Sequence, residues 1–71
     1  MRISDQYRTH PDSFIPGGTE IKIFYAGDPE PRIYDKIKAP ARYIEVALEN
    51  HPEIIEVFVK KADDWVLIWK L

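Results

Sequence analysis

The sequence predicts an α+β domain in which a β-hairpin, a helix and a second β-hairpin follow one another (ββαββ). Three observations predict it: alternating segments joined by a turn, a segment with helical apolar spacing, and two apolar segments joined by a short connection. Elements in this order form one four-stranded sheet with the helix on one face. We expect an irregular N-terminal arm over residues 1–19 and a single domain over residues 20–71.

The first hairpin is predicted over residues 20–38. The segments EIKIFYA and RIYDKIK alternate in apolar character, and GDPEP between them supplies turn residues. Pairing Ala26 with Arg32 places apolar residues opposite one another on both faces of the hairpin. The same register leaves the Asp35 carboxylate on the predicted core face, with no role that the sequence assigns.

The helix is predicted over residues 39–52, APARYIEVALENHP. Ile44, Ala47 and Leu48 follow the i, i+3, i+4 spacing of an apolar helix face. A proline is well tolerated in the first turn, whereas Pro52 cannot continue the helix. This amphipathic segment is therefore expected to cover one side of the sheet.

The second hairpin is predicted over residues 53–61, EIIEVFVKK, and residues 65–71, WVLIWKL. The three residues between them allow Lys61 to pair with Trp65. The last segment is apolar at nearly every position, whereas an edge strand with one face in water alternates. We therefore expect the last strand to lie in the interior of the sheet.

A last strand inserted beside the first predicts a mixed sheet of order 2-1-4-3, counting the four predicted strands along the chain. This arrangement resembles the β-grasp, the ubiquitin-like architecture, in topology and length. The chain ends in Lys70-Leu71 and lacks the diglycine tail of ubiquitin-like modifiers, so the resemblance implies no conjugation chemistry. The alternative is a fully antiparallel sheet of order 2-1-3-4.

The side of the predicted sheet that the helix leaves uncovered is the candidate interaction site. In the predicted registers it combines aromatic and aliphatic side chains with surrounding basic residues, as binding surfaces do. The candidate interaction residues are Phe24, Tyr34, Phe58, Ile68, Lys22, Arg32, Lys36 and Lys60. In an alternative arrangement, the N-terminal arm folds back and covers this side with Phe14 and Ile15.

These residues predict a small protein-interaction module, an adaptor or inhibitor, which holds a protein partner that carries acidic groups. The aromatic side chains would anchor the partner and the lysines would steer its approach. A second copy of the chain, forming a homodimer, is another candidate partner. The alternative function is the binding of single-stranded nucleic acid, with bases stacked on the rings and phosphates near the lysines.

Composition argues against other functions. The chain has 71 residues and no cysteine, which excludes a disulfide framework and thiolate metal sites. His10, Asp12 and Ser13 match catalytic triad components by residue type alone, and His51 is expected to close the helix. We expect no enzymatic activity, no cofactor and no metal site. No run of about 18 apolar residues is present, so we expect a cytoplasmic protein with no membrane partner.

Overall fold

The computed structural model of the chain describes residues 2–3 and 15–71. The elements are β1 (Arg2–Ile3), β2 (Ile21–Tyr25), β3 (Arg32–Tyr34), α1 (Pro40–Asn50), β4 (Ile54–Lys61) and β5 (Asp64–Lys70). The strands form one sheet of order β1-β5-β4-β2-β3, and every neighbouring pair is antiparallel. The helix packs on one side of this sheet, where its Ile44 joins the buried core.

The α+β class and the alternative strand order are confirmed. Counted as in the sequence prediction, the four main strands have the order 2-1-3-4, because β4 pairs with β2 and β5 lies beyond β4. The preferred order 2-1-4-3 is wrong, and the β-grasp arrangement that depended on it is not found. The last strand has β4 on one side and, among the described residues, only Arg2 and Ile3 of β1 on the other.

Strand β4 lies at the centre of the sheet because it is long enough to form backbone hydrogen bonds with a neighbouring strand along each of its edges. It is the longest strand, with eight residues, and it pairs with β2 over Ile54–Val59 and with β5 over Glu56–Lys61. Val57 and Val59 are fully buried, so the middle of β4 contributes directly to the core. The conspicuous apolar content of β5 therefore needs another explanation.

A β-bulge in β5 supplies that explanation. Val57 pairs with Trp69 while the next residue of β4, Phe58, pairs with Leu67, so Ile68 is an extra residue in β5. Ile68 and Trp69 are both buried, at 1% and 5% exposure. The predicted pairing of Lys61 with Trp65 is wrong, because Lys61 pairs with Asp64 across a connection of only two residues. Beyond the bulge the register that followed from that prediction is restored, and Val57 pairs with Trp69.

The first hairpin has a different register from the predicted one. Ile21 pairs with Tyr34 instead of Ile37, a shift of three residues that turns β3 over. The strand contains only three residues, and Asp35 lies exposed beyond its end. The predicted carboxylate on the core face does not exist, because the chain leaves the sheet before that position.

The core lies between the sheet and α1. Its buried apolar residues are Ile15, Ile21, Ile23, Ala41, Ile44, Ile54, Val57, Val59, Ile68 and Trp69. The backbone N–H of Gly18 donates a hydrogen bond to the carbonyl of Ile37, which fixes the segment around Ile15 against the loop before α1. The predicted covering of the opposite side by Phe14 and Ile15 is thus not found for Ile15, and Phe14 lies outside the described residues.

Candidate functional site

The side of the sheet that faces away from α1 is formed by alternate residues of β2, β4 and β5. Ile21 and Ile23 point into the core, so the residues between and after them point away from it. The pairing of the strands brings equivalent residues of β4 and β5 to the same side. We define the open sheet face as Lys22, Phe24, Phe58, Lys60, Trp65 and Leu67.

The centre of the open sheet face is the ammonium group of Lys22, which lies near three aromatic rings. Its Nζ is 4.6 Å from the centre of the Trp65 ring, 5.0 Å from that of Phe58 and 5.7 Å from that of Phe24. Contacts of this length are attractive, because the negative ring face meets the positive charge. The Phe24 and Phe58 rings also meet edge to face, with centres 5.8 Å apart. The rings and the lysine thus form one connected cluster.

The border of the open sheet face contains a second lysine and exposed aliphatic groups. Lys60 Nζ lies 5.5 Å from the Trp65 ring centre and 3.9 Å from a carboxylate oxygen of Glu20. Leu67 is 41% exposed, and Ile33, which pairs with Lys22 from β3, is 56% exposed. Apolar groups beside the rings therefore remain in contact with water.

Four of the sequence-predicted interaction residues come together as expected on this side of the sheet. They are Lys22, Phe24, Phe58 and Lys60, and all four are half-buried. Their grouping follows from the pairing of Lys22 with Phe58 between the two central strands.

The other four predicted interaction residues lie elsewhere. Tyr34 and Arg32 are on the helix side, because the shifted register turns β3 over. Ile68 is in the core as a result of the bulge in β5. Lys36 lies exposed in the loop after β3, where its backbone has a φ of 58°.

Sequence reasoning missed Trp65 and Leu67 as members of the open sheet face. The predicted pairing of Lys61 with Trp65 placed both side chains with the core residues of the second hairpin, whereas Lys61 pairs with Asp64 in the structure. The contact of Trp65 with two lysines is possible because it pairs with Lys60. The unbroken apolar run of β5 predicted an interior strand and did not indicate this surface position.

A second candidate site is a cleft of about 600 Å³ on the helix side, between α1, β3 and the loops at the end of β2 and before β4. We call it the tyrosine cleft, and its lining residues are Tyr25, Ala26, Gly27, Asp28, Arg32, Tyr34, Tyr43, Val46, Ala47, Asn50, His51 and Glu53. Its volume falls within the usual range of small-molecule sites.

Three tyrosines form the inner part of the tyrosine cleft. The hydroxyl groups of Tyr25 and Tyr34 lie 3.4 Å apart, and the Tyr34 and Tyr43 ring centres are separated by 5.5 Å. Burial raises the pKa of the Tyr25 phenol above its ordinary value, and the hydrogen bond with Tyr34 raises it further. Burial also raises the pKa of Tyr43, with the negative charge that Tyr34 would carry acting in the same direction. The hydroxyl groups of Tyr25 and Tyr43 therefore stay protonated at neutral pH.

Charged groups surround these rings at the mouth of the tyrosine cleft. The Arg32 guanidinium carbon lies 5.0 Å from the Tyr25 ring centre, and its Nε is 3.9 Å from a carboxylate oxygen of Asp28. His51 Nδ1 lies 3.3 Å from a carboxylate oxygen of Glu53, and the centre of its ring is 6.4 Å from that of Tyr25. Each carboxylate in the cleft thus has a basic neighbour.

No family model matches the chain, and neither does any curated protein or solved structure. Within residues 2–3 and 15–71, no cluster of three or more histidine, aspartate or glutamate side chains could hold a metal ion. The same described part of the chain contains no helix that is long and apolar enough to span a membrane.

Proposed function

We propose that the chain is a small, non-enzymatic interaction module of the cytoplasm, an adaptor or inhibitor, which holds a protein partner on the open sheet face. The observation that carries this proposal is the position of Lys22 among three aromatic rings on the side of the sheet opposite the helix. Packing of Lys22 against the rings fixes a charge and an apolar surface in one place before a partner arrives. Preorganisation of this kind lowers the entropy lost on binding.

The composition of the open sheet face indicates the chemistry of the partner. Lys22 favours a carboxylate beside the rings, as does Lys60, which Glu20 neutralises in part, whereas Glu56, the partner of Phe24, favours a cation at the border of this side. Phe58 and Leu67 favour an apolar side chain between them. A partner segment that presents an apolar anchor flanked by aspartate or glutamate satisfies both features. A second copy of the chain fits less well, because the lysines of the two copies would face each other.

The geometry favours a protein partner over single-stranded nucleic acid. Bases bind to such surfaces by stacking on free ring faces. Here the Lys22 ammonium approaches all three rings, and Lys60 approaches Trp65 as well. A base would have to displace these cations before it could stack.

The proposal is tested by capturing partners with the wild-type chain and then measuring the affinity of each purified partner by calorimetry. We expect Phe58→Ala and Trp65→Ala each to weaken binding about tenfold or more, as the loss of a central anchor does. Val46→Ala is the matched control, because Val46 is 40% exposed on α1, on the other side of the sheet. Circular dichroism checks that each variant is folded.

The proposal fails if every captured partner binds both aromatic variants as tightly as the wild type. A titration with a single-stranded oligonucleotide at several salt concentrations separates the alternative function. Tight binding that weakens steeply with salt and depends on Phe58 and Trp65 would favour nucleic acid over a protein partner.

A further inference from the structure

The tyrosine cleft offers more hydrogen-bond donors than its own groups can use. Three phenol groups carry three protons, and Tyr34 can link to each of its two neighbours by at most one hydrogen bond. Two hydrogen bonds use two protons, so one O–H remains to donate elsewhere. All three tyrosines are half-buried and line the cleft, so the remaining hydroxyl donor can meet a ligand or water there.

Arg32 adds a cation with free donors beside these hydroxyl groups. Its contact with Asp28 involves Nε at 3.9 Å, which leaves the two Nη nitrogens without a hydrogen-bond partner among the described residues. The Arg32 guanidinium carbon also lies 5.0 Å from the Tyr25 ring centre, so the cation stands at the wall of the cleft. The paired N–H donors of a guanidinium match the two oxygens of a carboxylate.

One part of the cleft wall is apolar. Val46 and Ala47 lie on the face of α1 that borders the tyrosine cleft, and Asn50 follows them on the same face one turn further along the helix. The two aliphatic side chains can contact a ring or a short aliphatic chain of a ligand. The cleft therefore combines polar groups with an apolar patch.

We propose that the tyrosine cleft binds a small organic carboxylate that carries an aromatic or aliphatic body. The carboxylate accepts hydrogen bonds from Arg32 and from the phenol cluster around Tyr34, and the apolar body lies against Val46 and Ala47. The two carboxylates that line the cleft, Asp28 and Glu53, each lie beside a basic side chain, Arg32 and His51 respectively. This binding is independent of a partner on the open sheet face, since the two sites lie on opposite sides of the sheet.

The test is a titration of the isotopically labelled full chain with benzoate, followed by nuclear magnetic resonance. We expect saturable shifts of the backbone amides of Gly27, Ala47 and Asn50, with a Kd in about the millimolar range for so small a probe. Benzyl alcohol, which has the ring without the charge, and inorganic phosphate, which has charge without the ring, should each bind about tenfold more weakly. Equal binding of either control probe would overturn the proposal.

Variants locate the binding groups. Arg32→Gln should weaken benzoate binding about tenfold or more, and Tyr34→Phe should weaken it about threefold to tenfold while keeping the ring. Arg42→Gln is the matched control, because Arg42 is an exposed arginine of α1 that does not line the cleft. If Arg42→Gln weakens binding as much as Arg32→Gln, or if benzoate shifts no amide of the cleft, the proposal is wrong.

Discussion

The observed register of β5 predicts that alanine substitutions at two neighbouring residues, Leu67 and Ile68, lower the free energy of unfolding by very different amounts. Ile68 is 1% exposed and Leu67 is 41% exposed. Ile68→Ala empties a site within the core, and such a change costs about 2 to 5 kcal/mol because a cavity remains. Leu67→Ala removes a side chain that stands partly in water and encloses no cavity, so its cost should be about 1 kcal/mol or less.

The assay is urea unfolding of each variant, followed by the fluorescence of Trp65 and Trp69. A domain of 71 residues has a total stability of roughly 4 to 11 kcal/mol, so Ile68→Ala could unfold it outright. Ile68→Val, expected to cost about 0.5 to 1.5 kcal/mol, keeps the comparison measurable in that event. A three-residue connection that pairs Lys61 with Trp65 would place Leu67 beside Val59 in the core, so a larger loss for Leu67→Ala than for Ile68→Ala would refute the observed register, in which Lys61 pairs with Asp64.

Three further predictions concern other parts of the fold. Unfolding in urea at pH 8 and pH 11 should show a smaller alkaline loss of stability for Tyr25→Phe than for the wild type. Because the pKa of Tyr25 is raised in the folded state, the Tyr25 phenol of the unfolded state loses its proton first, above about pH 10, and alkaline pH then favours unfolding. An equal loss of stability in Tyr25→Phe and in the wild type would contradict this prediction. Gly17→Ala should lower the free energy of unfolding by about 1 to 3 kcal/mol, since its Cβ would lie 2.9 Å from the Lys38 carbonyl oxygen; an unchanged urea midpoint would contradict this. Ile33→Thr should change thermal stability by less than about 0.5 kcal/mol, because Ile33 is 56% exposed, and a clear drop in Tm would place it in a packed site.

Local sequence patterns predicted the elements well. The helix was expected over residues 39–52 and forms over Pro40–Asn50, because proline and apolar spacing act within a few residues. The second hairpin was expected and forms, since its two segments are adjacent in the chain. Such features depend on residues that are close to one another in the sequence.

Strand order and register could not be predicted in the same way. The pairing of Lys61 with Asp64 reverses the sides of the residues up to Leu67, and the extra residue Ile68 restores the expected sides from Trp69 onward. No single residue type announces such a bulge. The first hairpin offered several registers with sensible apolar pairs, and the observed one pairs Ile21 with Tyr34. The tertiary reason is that Tyr34 gains contact with Tyr43 of the helix, which a strand pattern cannot reveal.

The candidate sites were therefore predicted unequally. Lys22, Phe24, Phe58 and Lys60 were identified because they occupy the two strands whose alternation is regular on that side. The tyrosine cleft was not identified, since it combines residues from two strands, the helix and two loops. Its chemistry depends on the observed register of β3, which the sequence left open.

The helix is narrower than the sheet on which it packs, and this difference accounts for the two separate candidate sites. A helix with its side chains is about 10 Å across, and strands are spaced by about 4.8 Å, so α1 covers roughly two strands. The edge strand β3 is then left partly uncovered on the helix side, where Tyr34 and Tyr43 bridge the remaining gap and form the base of the cleft. The opposite side of the sheet has no helix among the described residues, so β2 and β4 must shield their aromatic rings by packing them around Lys22. A single helix thus accounts for the cleft beside it and for the charged aromatic surface behind the sheet.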